Sequence, residues 1–263
     1  MIQQLFWAFA LSLVIAGLAF WRGSLTESGV VGALLVGTLT FGLGGWVWGI
    51  LLGVFFVSSS ALSHFKESEK RAVAEKFDKG HRRDFGQAMA NGGLGSLVAV
   101  ASVVWPSPLW FALFVGVMAT VTADTWATEL GTLSKRPPRL ITTGQVVEVG
   151  SSGGVSRLGT AVSLAGGLLI GVTAALLTGQ ILLVLLGGLG GLAGSLFDSL
   201  LGATVQQIFY CDVCQKETEK KVHKCGQYTR PLRGWGWLNN DLVNLIASFI
   251  GGCTAVVLWL ITA

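Results

Sequence analysis

Apolar residues run along this chain in long blocks interrupted mainly by glycine, serine and threonine, and polar connections of two very different lengths separate the blocks. A membrane-spanning helix needs roughly 20 mostly apolar residues. By that measure the pattern predicts helices over residues 2–20, 28–42, 44–63, 87–104, 108–131, 156–177, 180–205 and 241–262. The expected fold class is all-α, a polytopic membrane helical bundle of about eight spans. It forms one integral membrane domain over 1–263, with a polar loop over 206–240. The second and third helices are short and rich in glycine, which leaves a re-entrant path open for them. The first block has no basic residue ahead of it and is followed by Trp21 and Arg22, not by a small-residue cleavage site. It reads as a retained helix and not as a signal peptide.

Composition narrows the class further. Hydrophobic residues make up 52% of the chain and charged residues 12%, about half the usual charged share. Charge that sparse cannot coat a water-soluble surface, and the net charge of +4 is no nucleic-acid signal. The 37 glycines fit closely approaching membrane helices. The short connections 42–45, 105–108 and 178–180 carry no charge, whereas 21–27, 64–86, 132–155 and 206–240 are long. All 18 Lys and Arg residues fall in the long connections or in the first residues of the helix that follows. The positive-inside rule then places the long loops in the cytoplasm and both termini outside, in the plasma membrane. The run from Lys66 to Asp84 mixes both signs and reads as a solvated helix or loop, although His81, Arg82 and Arg83 also suit a phosphate. The Gly-rich stretches from Gly29 to Leu62 and from Gly159 to Leu200 share a helix–turn–helix texture. A parallel internal repeat and simple low-complexity likeness explain it equally well.

Four acids stand inside or at the ends of apolar blocks: Asp124, Glu129, Asp198 and Asp241. A carboxylate in a membrane helix is costly and marks a functional site by default. The predicted helix directions put all four near the cytoplasmic boundary. Polar neighbours accompany them, among them Thr125, Asn91, Asn240 and Asn244. Carboxylates and amides converging from several helices suit Mg²⁺, a hard cation that takes oxygen ligands and usually keeps substrate phosphates. The competing reading has these acids pairing with loop cations or capping helices, as Asp241 at a helix start would.

The run Gly150-Ser151-Ser152-Gly153-Gly154-Val155-Ser156-Arg157 precedes a helix. Backbone N–H groups at Gly153 and Gly154, with the helix dipole, suit an anion, and Lys135, Arg136, Arg139 and Arg157 would complete that pocket. Turn chemistry alone also accounts for the glycines. No Walker A motif is present. In the last loop, Cys211-x-x-Cys214 and His223-x-Cys225 supply four soft ligands, the number for a closed structural zinc site with no position left for catalysis.

The segments RDFGQAMANGG, ADTWATELG, SSGGVSRLG, FDSLLGATVQ and WLNNDLVN, in this order, resemble those of domain-of-unknown-function family 92. That family includes transmembrane protein 19 and the phytyl-phosphate kinase of tocopherol synthesis. The resemblance covers about residues 30 to 262. The chain departs from it at Gly150-Ser151-Ser152-Gly153-Gly154, where the family often has Gly-Thr-Asn-Gly-Gly, so an Asn contact is missing. The cysteine loop looks like a bacterial-type feature. The resemblance implies a kinase that converts an isoprenoid monophosphate lipid to the diphosphate with a nucleoside triphosphate. CTP is the expected donor by similarity to phytol and dolichol kinases. Asp124, Glu129, Asp198 and Asp241 would then hold Mg²⁺, the Gly150 to Arg157 loop the donor phosphates, and Thr125 and Ser156 the acceptor phosphate. Intramembrane acids on Gly-rich helices also fit a transporter or flippase of a small anion or lipid phosphate, whose polar groups would lie near the midplane.

Overall fold

A computed structural model describes residues 2–66, 69 and 82–262 of the chain. Among them are eight helices: α1 Ile2–Trp21, α2 Glu27–Gly44, α3 Trp46–His64, α4 Phe85–Val104, α5 Leu109–Gly131, α6 Arg157–Thr178, α7 Leu182–Thr204 and α8 Asn240–Thr262. All eight are long and apolar enough to cross a membrane. Helices α2 and α3 are each of span length, as two full crossings require. Helices α2 and α3 run 18 and 19 residues and meet at Gly45, whose φ of +91° only glycine adopts without strain.

The connections are less irregular than expected. Strands β1 (Arg139–Leu140) and β2 (Gly154–Val155) pair antiparallel, and β3 (Ile208–Cys211) lies between β4 (Lys216–Thr218) and β5 (Arg230–Arg233). Strands this short carry no alternation that a sequence pattern can register.

Helix α5 is the mast of the bundle. Its run from Phe114 to Ala123 is continuously buried, and α6, α7 and α8 close around it. Small residues set the spacing. A Cβ added at Gly166 would lie 3.1 Å from the Ala123 Cα, and one at Gly191 would lie 3.0 Å from the Ala119 carbonyl oxygen. Thr120 ties the same layer together, its hydroxyl donating to Gly116 O at 2.9 Å and Gly190 O at 3.3 Å. Such packing replaces the hydrophobic drive that is absent between helices in lipid. The two Gly-rich pairs pack differently: α6 and α7 interlock through Gly167, Gly171 and Gly187, while α2 and α3 pack less extensively.

Helices α1, α2 and α4 form a second group. Arg83 anchors α4 to the 22–26 connection: its N–H donates to Ser24 O and its carbonyl accepts from Thr26 N, both at 3.0 Å. Gly29 packs so tightly on the Arg83 carbonyl that a side chain there would overlap it. Asp84 then starts α4 with a reciprocal capping box to Gln87.

Candidate functional site

One end of the bundle holds a cavity of about 790 Å³, lined from α3 through α8 and from the three later long connections. All four acids line it. At 1.5 Å per residue, Asp124 lies about 10 Å inside the end of α5 and Asp198 about 9 Å inside the end of α7. Glu129 stands one turn and a half nearer the surface and Asp241 opens α8.

The acids differ in their partners. Glu129 accepts from the Ser63 hydroxyl at 2.7 Å. At the start of α8 Leu242 N donates to Asn239 Oδ1 at 3.1 Å, and Asp241 is the second residue of the helix. Asp198 Oδ2 is buried without a hydrogen-bond partner, and the charges of Asp124 and Glu219 bear on it. The Ser163 hydroxyl, on the same cavity wall, is likewise unpartnered. Buried polar atoms are almost always satisfied, and two acids facing each other in an apolar bundle repel. An orphaned carboxylate oxygen beside a second carboxylate fits a site for a hard divalent cation.

Asn91, Thr125, Gly153, Gly154, Ser156, Asn240 and Asn244 also line the cavity. Ser156 caps α6, its Oγ accepting from Gly159 N at 3.0 Å. The Thr125 hydroxyl donates to Val121 O at 2.8 Å and keeps its oxygen free to accept. In the Gly-rich loop, Ser151 N and Gly154 N are committed to Glu148 O and Ser151 O. The N–H groups of Ser152 and Gly153 have no backbone acceptor among the described residues. Gly153 has φ +83° and lies against Ala203 so closely that no Cβ fits.

The cations of the cavity are not those nearest the loop in sequence. Lys135, Arg136, Arg139 and Arg157 are exposed and do not line it. Arg139 donates to Gly144 O at 2.7 Å within its own turn. Arg83, Lys220 and Lys221 line it instead. The Arg83 guanidinium donates to Ser60 Oγ at 3.0 Å and lies over the Phe55 and Phe56 rings at 5.8 and 5.7 Å. Burial pulls it below its ordinary pKa, and Glu129 pulls it back up. Of the other two residues read as phosphate-attracting, Arg82 donates to Leu25 O at 2.8 Å, and His81 lies outside the described residues.

Glu219 went unread in the sequence, and Gln206 was read only as the last residue of the FDSLLGATVQ run. Gln206 Nε2 donates to Glu219 Oε1 at 2.9 Å and to Asn240 Oδ1 at 3.5 Å. The Ser152 hydroxyl donates to the same Glu219 oxygen at 3.4 Å. Arg233 closes this wall by donating to Gly202 O at 2.6 Å and Ser152 O at 3.3 Å. The sequence signal for Glu219 was only that it follows a cysteine pair.

Those residues belong to the cysteine loop. The ligand atoms of Cys211, Cys214, His223 and Cys225 all lie within 4.8 Å of one another, so the four form a Cys₃His cluster. Cys211 Sγ and Cys225 Sγ are 3.7 Å apart. Metal–sulfur bonds of about 2.3 Å at the tetrahedral angle require a separation of about 3.8 Å. His223 Nδ1 is 3.2 Å from Cys225 Sγ. That hydrogen bond is the chief cause pulling the Cys225 thiol down to about 6, while hydrogen bonding to Cys225 pushes Cys214 up to about 11. A bound cation relieves such competition among thiolates.

Together these features define a polytopic membrane protein with an acid-lined polar cavity at one end and a Cys₃His knuckle forming part of its wall. The chain belongs to the integral membrane protein family DUF92, whose model matches residues 10–252. It is 35% identical to Protein PGR of Arabidopsis thaliana over 96% of each chain. It is 34% identical to an uncharacterized membrane protein of Methanocaldococcus jannaschii, over 89% of this chain and 86% of that one. Identity to the chloroplastic Protein VTE6 of Arabidopsis thaliana is 28%, over 89% of this chain and 65% of that protein. No solved structure matches.

Proposed function

We propose that the protein is a membrane enzyme of prenyl-lipid metabolism that phosphorylates an isoprenoid monophosphate to the diphosphate, with a nucleoside triphosphate, CTP first, as donor. The observation that carries the reading is the orphaned Asp198 oxygen beside Asp124, in a cavity that also holds Arg83, Lys220 and Lys221. Family membership and the likeness to Protein VTE6 support it. Acids deep in the cavity with cations around them suit phosphates bridged by a cation better than a free anion in transit. The charge-free short connections at the other end speak against a transporter.

In this reading an acceptor phosphate oxygen attacks the γ-phosphorus. The bond from that phosphorus to the β–γ bridging oxygen breaks, the nucleoside diphosphate leaves, and a new P–O–P anhydride joins the lipid phosphate to the γ-phosphoryl group. Phosphoryl transfer depends on positioning and charge neutralisation. Mg²⁺ held by Asp124 and Asp198, with Glu129 and Asp241 near them, would supply that neutralisation. Arg83 holds the acceptor phosphate at the edge of the lipid. Lys220, Lys221 and the Ser152 and Gly153 amides face the donor. Asn91, Asn240 and Asn244 bind phosphate oxygens or waters. No general base is required, because a phosphate monoester is largely dianionic at neutral pH, its second pKa being about 6.

Zinc is the metal that the Cys₃His geometry fits best. In the proposed topology the long connections and the cavity face the cytoplasm and both termini lie outside. A membrane-impermeant maleimide added to intact cells should label Ser107→Cys and Gln180→Cys and spare Arg136→Cys. The reverse pattern would invert the topology. The activity itself is tested by incubating the purified protein with a prenyl monophosphate and each of the four nucleoside triphosphates. A prenyl diphosphate formed fastest with CTP is the expected product. A prenyl phosphate that crosses a sealed vesicle chemically unchanged would favour the carrier.

A further inference from the structure

A second cavity, of about 280 Å³ and almost wholly apolar, opens beside the first. Helix α2 is its floor, through Val36 and Phe41, and α1 and α3 are its walls, through Leu11, Ile15, Ile50 and Gly53. Both walls pack on α2 but barely on each other, so the cleft is open sideways. Leu11, Ile15 and Ile50 are each 40% or more exposed along that opening, which faces the hydrocarbon of a bilayer. At its inner end the cleft is lined by Arg83, Gln87 and Asn91, and these three residues also line the acid-bearing cavity. One guanidinium thus stands at the junction of an apolar slot and a phosphate-sized polar chamber, held over Phe55 and Phe56 at the slot's wall.

We propose that this cleft takes the isoprenoid chain of the acceptor lipid, with its phosphate at Arg83, and that it grips only the two isoprene units nearest the phosphate. The proposal rests on the prenyl-phosphate reading of the neighbouring cavity. At roughly 30 Å³ per group the size of a water molecule, the cleft holds about nine carbon-sized groups, close to the ten carbons of two units. Carbons beyond these leave through the gap between α1 and α3 into the bilayer, where the protein has no means of measuring them. The substrate class is therefore any prenyl monophosphate of ten carbons or more. Selection acts on the saturation and shape of the first two units and not on total length.

Two measurements test this. In mixed micelles at fixed lipid mole fraction, KM should fall about tenfold or more from a five-carbon to a ten-carbon prenyl monophosphate, as apolar contact is added. It should then change little up to twenty carbons. Gly53 lines the cleft, and a Cβ there meets nothing within 4 Å, so Gly53→Leu starts from open space and extends into the slot. That variant should raise KM about tenfold for the ten- and twenty-carbon substrates. A binding readout separates the two claims. A geranyl monophosphate analogue with a photoreactive chain should label α1 or α3 in the wild type and lose that label in Gly53→Leu. Labelling of the cleft without any phosphoryl transfer would overturn the kinase reading and leave the cleft standing. Transfer with a KM that falls steadily with chain length, ignores Gly53→Leu and is accompanied by labelling elsewhere would overturn the cleft, which would then belong to a bilayer lipid.

Discussion

Replacing Asp198 with Asn is expected to lower turnover by about 10²- to 10³-fold, the range found when electrostatic stabilisation is removed from a transition state. The side chain keeps its shape and loses its charge. Its Oδ2 has no hydrogen-bond partner to sacrifice, and the neighbouring Asp124 and Glu219 charges no longer oppose it. The variant should therefore melt at or above the wild-type temperature in EDTA, even though it no longer works. Asp124→Asn should behave alike. The double variant should cost little more than either single one, because two ligands of one cation act as a unit. Steady-state rates across a Mg²⁺ series, with a thermal melt of each protein, check all of this. Near-normal rates in both variants at low Mg²⁺ would make the acids structural.

Removing the metal from the Cys₃His cluster should produce the second large effect. Cys211 is completely buried and His223 nearly so, and the loop between Cys214 and His223 delivers Glu219, Lys220 and Lys221 to the cavity. Gln206, Ser152 and Arg233 fasten this wall to α7 and the Gly-rich loop. Elemental analysis should find about one zinc per chain, as a closed four-ligand site requires. Chelation, or Cys211→Ser, should lower the melting temperature by several degrees. In the protein that stays folded it should raise KM for the nucleotide about tenfold, about 1.4 kcal/mol of donor binding, with kcat changing less. Re-added zinc should restore the wild type and not the variant. An unchanged nucleotide KM after zinc removal would show that the knuckle is a staple with no bearing on the donor.

How much of this was written in the chain differs by element. The eight spans were legible because apolar blocks of span length have few other fates. The four acids were legible because their cost in lipid makes them conspicuous, and the structure brings all four to one cavity. The Cys₃His set was legible from spacing alone. Of the cavity's cations only Arg83 was read as suited to a phosphate, and Lys220 and Lys221 were not. Arg157 adjoins the Gly-rich loop in sequence, but the first turn of α6 turns Gly159 toward Gly131 and leaves Arg157 exposed. Arg83 reaches the cavity through the backbone pairing of residue 83 with residue 25, a contact between distant segments that no local pattern encodes. Glu219 and Gln206 depend in the same way on where the β3–β4 hairpin folds back. The apolar cleft was invisible for a simpler reason. Leu11, Ile50 and Gly53 read like any lipid-facing or packed positions, and only the divergence of α1 from α3 makes them a groove.

The central claim is that the cavity at Asp124 and Asp198 moves a phosphoryl group onto a lipid phosphate. The most direct measurement follows the label of a γ-³²P nucleoside triphosphate mixed with purified protein, geranylgeranyl monophosphate and Mg²⁺ in detergent. The account predicts that the label appears in the terminal phosphate of geranylgeranyl diphosphate, and that EDTA and Asp198→Asn each abolish the transfer. Label that stays in the nucleotide, or emerges only as inorganic phosphate whether or not the lipid is present, would contradict it.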